Sequence, residues 1–272
     1  MLTRPIPSTG EALPVIGCGT YPAFNVSPRS PEFRPLPDVL KTLFDAGGSV
    51  IDTSPMYGRA EEIIGRLLQA SGNKKRAFLA TKVWTRGRAA GVEQMERSLA
   101  LFQTDRIDLV QVHNLVDWRV HLDTLAGWKT DGRVRYVGVT HYTSSAFEDL
   151  VQIMASNPID FVQLNYSLDD RAAEQRLLPL AKERGIAVLV NRPLGGGSLI
   201  RALARLPLPD FAATIDCSGW SQLLLSFVIA HPQVTCVIPG TGNPDHMADD
   251  MRAGASLHPE ARDLILKWWA SR

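Results

Sequence analysis

The stretch Ser49-Val50-Ile51-Asp52-Thr53-Ser54-Pro55-Met56-Tyr57-Gly58-Arg59-Ala60-Glu61-Glu62 decides the fold. A short apolar run ends at a carboxylate, and a Pro-containing turn then presents a phenol. An acidic pair follows, as suits the positive N-terminal end of a helix. The segment reads as strand, loop, helix, with Asp52 and Tyr57 at the strand's exit. In a barrel of alternating strands and helices, that exit is where chemistry is done.

Similar β-rich runs recur on either side of it, at 15–19, 77–82, 109–113, 134–139, 161–165, 187–190 and 234–238. With 49–52 they make eight candidate strands. Most are followed by a helical pattern. Val92, Met95, Leu99 and Phe102 stand three or four residues apart within 91–102. The run 145–156 starts on a Ser cap, and 172–184 stops at Gly185. Further helices are expected over 218–230, 244–253 and 259–269, the last two opening with Pro. Strands alternating with helices at this spacing mean a parallel sheet, and eight units predict closure into an α/β (β/α)8 TIM barrel. No strand-to-helix turn has the GxGxxG form of a Rossmann domain. The opening segment 4–14 carries a Ser-Thr-Gly-Glu turn between apolar runs, which predicts an N-terminal β-hairpin closing the barrel floor. The Gly/Pro-rich stretch 194–217 is expected over the top face as a binding loop with a short helix inside.

Bulk properties narrow the classes. The 272 residues are close to the usual size of one such barrel, with no low-complexity tract to divide them, so a single domain over 1–272 is expected. Net charge is +1, from 29 basic and 28 acidic residues, which argues against nucleic acid or an anionic membrane as partner. The three cysteines, Cys18, Cys217 and Cys236, form no CxxC pair, which suits a reducing compartment. The first residues lack the apolar core of a signal peptide, so the expected setting is the cytoplasm.

Lys82 and His113 end the third and fourth candidate strands, so with Asp52 and Tyr57 they share one rim. A free tyrosine, with a pKa of ~10, is a poor proton donor at neutral pH. A nearby ammonium is expected to lower that value, with Asp52 holding Lys82 charged. His113 would hydrogen-bond the incoming oxygen or share a proton with Tyr57. The set makes a general acid for a carbonyl becoming an alkoxide. Each residue alone reads better as an ion pair, a satisfied polar group or a rim aromatic; four on three consecutive strand ends argue otherwise. There is no HxH or HxxxH pair, and Lys is a poor ligand, so no metal site is expected.

At these residues the chain resembles an aldo-keto reductase of the short prokaryotic type. The resemblance rests on Gly17-Cys-Gly-Thr-Tyr21, Ile51-Asp-Thr-Ser-Pro-Met-Tyr-Gly58, Ala80-Thr-Lys-Val-Trp84 and Asp108-Leu-Val-Gln-Val-His-Asn114. It continues through Tyr136-Val-Gly-Val-Thr-His-Tyr142, Val162-Gln-Leu-Asn-Tyr166 and Val237-Ile-Pro-Gly-Thr-Gly-Asn-Pro-Asp-His246. It implies a barrel that binds NAD(P)H and reduces aldehydes or ketones. Tyr57 would be the general acid, Lys82 and Asp52 the pair that lowers its pKa, and His113 the substrate-orienting residue.

For the cofactor, the resemblance implies Thr140, His141 and Gln163 at the nicotinamide carboxamide, with Thr20, Tyr21 and Asp52 beside them. Asn191, Arg192 and Leu194 fall where many members have an aromatic platform followed by Ser, and Arg192 is a candidate for the pyrophosphate. Pro239, Gly240, Thr241, His246, Asp249 and Asp250 match the clamp on the adenosine 2′-phosphate. Gly240 and His246 replace the usual cations there, while Asp249 and Asp250 would suit adenine or ribose hydroxyls. Use of both NADPH and NADH is therefore expected, without strict preference for NADPH. Tyr21, Phe24, Tyr57, Trp84 and His113 would line the site of a small carbonyl substrate, in a monomer or weak oligomer. The alternative reading is a nucleotide-sensing regulatory protein with the same fold and slow turnover.

Overall fold

A computed structural model describes residues 1–272. Eight parallel strands make the main sheet: β3 (Cys18–Gly19), β4 (Val50–Asp52), β5 (Phe78–Val83), β6 (Ile107–His113), β7 (Val134–Thr140), β8 (Phe161–Asn165), β9 (Ala187–Asn191) and β10 (Cys236–Val237). They lie in sequence order, and parallel bridges Ile16–Val237 and Gly19–Gly240 join the first to the last. The sheet thus closes into a (β/α)8 barrel. At the seam the backbones press together: a Cβ on Gly19 would stand 2.7 Å from the Ile238 carbonyl oxygen. Only glycine permits that approach.

The strand period of two sorts the side chains. Outward positions such as Ile51, Val83, Val110, Val112, Val137, Val139, Val162, Val188 and Val190 join a 63-residue core beneath the helices. Inward positions change character with height. At the floor, Val50, Phe78, Leu109, Tyr136, Phe161, Ala187 and Cys236 form a second apolar cluster. Tyr136 packs edge-on against Phe161, with ring centroids 5.5 Å apart. Towards the C-terminal rim the same faces carry Asp52, Lys82, Gln111, His113, Thr140, Gln163, Asn165 and Asn191.

Antiparallel strands β1 (Thr3–Pro5) and β2 (Ala12–Pro14) form the expected hairpin. Its Ile6 and Leu13 are fully buried in the floor cluster. Each such side chain contributes about 1.5–3 kcal/mol on burial. The Tyr136 hydroxyl lies 2.8 Å from that of Thr9 and donates to Glu11, tying the plug to the barrel.

The main outer helices are α1 (Leu36–Asp45), α2 (Ala60–Ser71), α3 (Arg88–Phe102), α4 (Trp118–Thr130), α5 (Phe147–Ser156) and α6 (Leu177–Arg184). Then come α7 (Ser198–Leu203), α8 (Trp220–Ile229), α9 (Pro244–Arg252) and α10 (Ala261–Ala270). The single helix expected over 172–184 is broken: Arg176, at φ −139°, separates a 3-10 turn from α6. The expected top-face loop holds its short helix, α7. Leu199, Leu203, Ala212, Ile215 and Cys217 are buried in the outer core, and the Trp220 indole donates to the Leu206 carbonyl, so the segment is anchored to α8. No helix is long and apolar enough to cross a membrane.

Candidate functional site

Strand exits β4, β5 and β6 are register neighbours, and they bring Asp52, Lys82 and His113 to one side of the mouth. Lys82 is 1% exposed and Asp52 2%, too buried for either charge to stand alone. Lys82 Nζ donates to Asp52 Oδ2 at 2.8 Å and to the Thr53 carbonyl at 2.7 Å. Burial alone would lower the Lys82 ammonium; Asp52, Tyr57 and Glu61 outweigh it and raise the value, holding the charge. Burial lifts the Asp52 carboxyl above its usual range, against the pull of Lys82 and Gln163.

Tyr57 sits in the 3-10 turn Pro55–Tyr57, started by Ser54, whose Oγ accepts from the Met56 amide at 3.1 Å. Its ring centroid lies 5.3 Å from Lys82 Nζ, 5.0 Å from the Tyr21 ring and 5.9 Å from the His113 ring. Lys82 was expected to lower the phenol's pKa. Instead it is raised, because burial outweighs the ammonium and Asp52 and Tyr21 add to the rise. Tyr57 is thus a neutral phenol that keeps its proton.

Burial, with Lys82 and His141 nearby, pushes His113 down to about 3, so its imidazole is neutral. Its Nδ1 lies 3.0 Å from Ser54 Oγ. A Ser54 hydroxyl donating to Nδ1 would leave Nε2 as the N–H; one accepting from Nδ1 would leave Nε2 as the acceptor. A neutral His113 can still hydrogen-bond an incoming oxygen or Tyr57 through Nε2, the two roles expected for it. Trp84 flanks it, with ring centroids 6.4 Å apart.

The expected cofactor residues continue around the rim. Thr20 is buried, its hydroxyl donating to the Asp52 carbonyl at 3.0 Å. Thr140 and Asn191 end β7 and β9, Gln163 stands on β8 level with Thr140, and its Nε2 donates to Asp52 Oδ2 at 3.3 Å. His141 is half-buried, and its Nδ1 accepts from the Thr143 amide at 3.3 Å. Arg192 has a positive φ of 52° and is exposed, with its guanidinium against Gly196; Leu194 precedes that glycine turn. Pro239, Gly240 and Thr241 follow β10, and a Cβ on Gly240 would lie 3.1 Å from the carbonyl oxygens of Gly19 and Tyr21. His246 is exposed on α9.

Three expected residues are placed otherwise. Phe24 is fully buried in the outer core, so it offers no surface to a substrate. Asp250 is 4% exposed and accepts from Ser221 Oγ, joining α8 to α9 rather than reaching a ribose. Burial pushes it up to about 7. Asp249 is partly exposed but accepts from the Gln222 amide and makes the same helix contact.

Four residues escaped the sequence reading: Ser54, Gln111, Asn165 and Thr53. Gln111 was accessible to the period of two, since it stands two residues before His113 on the inward face. Several atoms at the mouth are buried without a partner: Asp52 Oδ1, Gln111 Oε1, Asn165 Oδ1 and Asn191 Oδ1. Buried acceptors are seldom left unpaired, so their concentration at the mouth marks a place for a polar ligand. A cleft of about 1180 Å³ lies instead at the floor, among Lys74–Leu79 and Gln103–Arg106. Two of its arginines are paired, Arg135 with Glu11 and Asp108, and Arg133 with Glu96.

A sequence profile of the Aldo/keto reductase family matches residues 15–263. Aldo-keto reductase YhdN of Bacillus subtilis (strain 168) is 31% identical over 213 residues, a match covering 73% of this chain and 62% of that protein. The matched stretch thus spans less than two thirds of that relative's length. Aldo-keto reductase str7 of Strobilurus tenacellus is 27% identical over 257 residues, covering 80% of this chain and 75% of that protein. The solved structure of a Klebsiella pneumoniae aldo-keto reductase in complex with NADPH aligns with a TM-score of 0.81 at 25% identity, covering 99% of this chain and 95% of that one. That of the thermostable aldo-keto reductase Tm1743 with the inhibitor epalrestat reaches 0.82 at 26%, covering 98% and 99%. With the profile matched over nearly its whole length and the barrel shared with solved members, the chain belongs to the aldo/keto reductase family.

Proposed function

We propose that the protein reduces a small aldehyde or ketone to an alcohol with NADPH or NADH, Tyr57 supplying the proton. The observation that carries this is the neutral Tyr57 phenol beside the buried Lys82–Asp52 pair, at the same mouth as neutral His113. The unpaired acceptors Asp52 Oδ1, Asn165 Oδ1 and Asn191 Oδ1 fit the amide and hydroxyl donors of a nicotinamide riboside. Thr140, His141 and Gln163 would hold its carboxamide, and Thr241, His246 and Arg192 its phosphates. When bound, the cofactor supplies a hydride.

The chain's own groups handle the proton. His113 Nε2–H orients the carbonyl oxygen and, being neutral, polarises it without adding a charge that would repel Lys82. Tyr57 Oη gives its proton to that oxygen as negative charge builds there. The phenolate left behind faces Lys82, whose charge Asp52 has held in place, so the ion pair stabilises the product state of the transfer. The exposed Tyr21 and Trp84 rings form an open rim suited to a planar or apolar carbonyl. At the adenosine end, His246 in place of a fixed cation gives a 2′-phosphate little charge assistance, which supports use of both cofactors. The free, buried cysteines fit a cytoplasmic setting.

The test follows cofactor absorbance against a panel of aldehydes and ketones, once with NADPH and once with NADH. Oxidation of both, dependent on carbonyl, is expected. Tight binding of either cofactor without turnover on any carbonyl would favour the nucleotide-sensing alternative.

A further inference from the structure

Gln111 is fully buried on the inward face of β6, below His113, where the floor's apolar lining gives way to polar groups. Its Nε2 donates to Gln163 Oε1 at 2.6 Å. The two strands are not neighbours, because β7 lies between them. The side chains meet above Gly138, the register partner of Gln111: a Cβ there would lie 3.2 Å from Gln111 Cγ and 2.6 Å from the Phe161 carbonyl oxygen. Glycine thus opens the passage through which one amide reaches the other.

The direction of this link follows from the ion pair. Asp52 Oδ2, held by Lys82, accepts only, so Gln163 must present its Nε2 to it, across 3.3 Å. Its Oε1 then points away, and Gln111 must meet that oxygen with an N–H. Were both amides reversed, Gln163 Oε1 would face the carboxylate oxygen. Gln163 retains a second N–H, and the amide plane fixed at both ends determines where it points.

We propose that Gln111 is a positioning residue: it locks the Gln163 amide so that its remaining N–H is presented to the nicotinamide carboxamide oxygen. The proposal rests on the cofactor reading above and adds a residue outside the contact set assigned there. Gln111 acts through Gln163, so its influence is confined to the nicotinamide end of the ligand.

The experiment titrates the protein's fluorescence with NADPH and, separately, with 2′,5′-ADP, which keeps the phosphorylated adenosine end and lacks the nicotinamide. Gln111→Met, of similar length without the donor, is expected to weaken NADPH about 3–10-fold, the value of one hydrogen bond, with 2′,5′-ADP changed less than about twofold. Gln111→Glu places an acceptor against Gln163 Oε1, turns that amide over, and is expected to weaken NADPH further, again sparing 2′,5′-ADP. Unchanged NADPH affinity in both variants would overturn the proposal. So would parallel loss of both ligands, or failure of both variants to fold, because the role would then belong to the barrel itself. If the unmodified protein does not bind NADPH, the cofactor reading fails and the proposal with it. NADPH binding that ignores position 111 refutes the proposal alone.

Discussion

The two ends of the barrel are built from the same strands, yet they treat polar atoms in opposite ways. At the floor, Phe78, Tyr136 and Phe161 fill the interior, Ile6 and Leu13 plug it from below, and the Tyr136 hydroxyl is tied to Thr9 and Glu11. At the mouth, Asp52, Gln111, Asn165 and Asn191 each keep a buried oxygen without a partner, and Tyr21 and Trp84 stand exposed. Nothing in the backbone demands this difference; it comes from which residues occupy the inward positions of each strand. One end is finished as a core, and the other is left incomplete until a ligand arrives. A cleft's size is therefore a poor guide here, since one of about 1180 Å³ lies at the finished end.

The contrast is broken most sharply by Tyr57→Phe. Removing one hydroxyl from the mouth should lower turnover by about 10²–10⁴-fold, the usual weight of a general acid, with NADPH affinity nearly unchanged. Steady-state rates set beside a fluorescence titration check it, and retained turnover would remove Tyr57 as the proton donor. Lys82→Met leaves the Asp52 carboxylate buried and alone, which should cost about 3–5 kcal/mol of stability as well as turnover. Denaturant unfolding measures it; a stability loss near zero would show that water reaches the pair.

At the other end, Ile6→Ala should cost about 2–5 kcal/mol by opening a cavity in the plug. Unlike the mouth variants, it should leave NADPH affinity intact. Coupled loss of both would mean that the two ends are not separable. The rim is sharpened by Asp250→Asn. Buried between α8 and α9, the folded carboxyl keeps its proton up to about 7, against an ordinary value of 3.8. Stability from the protonated form is full below 3.8 and is lost as pH rises through about 7. The amide that replaces the carboxyl does not ionise and can still accept from Ser221. The variant should therefore gain about 1–3 kcal/mol near pH 8 and lose that advantage towards pH 4. Unfolding at the two pH values decides it, and a gain independent of pH would point to packing instead.

Much of this was legible in the sequence, for a physical reason. Strand alternation and the glycine, proline and acidic signals at strand exits are local, so the eight strands, the hairpin and the Asp52–Tyr57–Lys82–His113 rim could be read from spacing. What escaped depended on contacts between distant segments. Phe24 looked like a pocket wall, yet its loop folds into the outer core. Asp249 and Asp250 looked like ligand groups, but the approach of α8 to α9 engages both. The rise in the Tyr57 pKa was hidden because burial, which outweighs Lys82, arises only when distant segments assemble around the phenol. Gln111 and Gln163 are 52 residues apart in the chain and meet only because Gly138 leaves room above it.

Backbone amide exchange, read by mass spectrometry with and without NADPH, tests the division between the ends most directly. Protection is expected in peptides carrying the strand exits at Asp52–Tyr57, Gln111–His113, Gln163–Asn165, Asn191–Leu194 and Pro239–His246. The hairpin and the floor cleft around Lys74–Leu79 should exchange as before. Protection at the floor with an unchanged mouth would contradict the account.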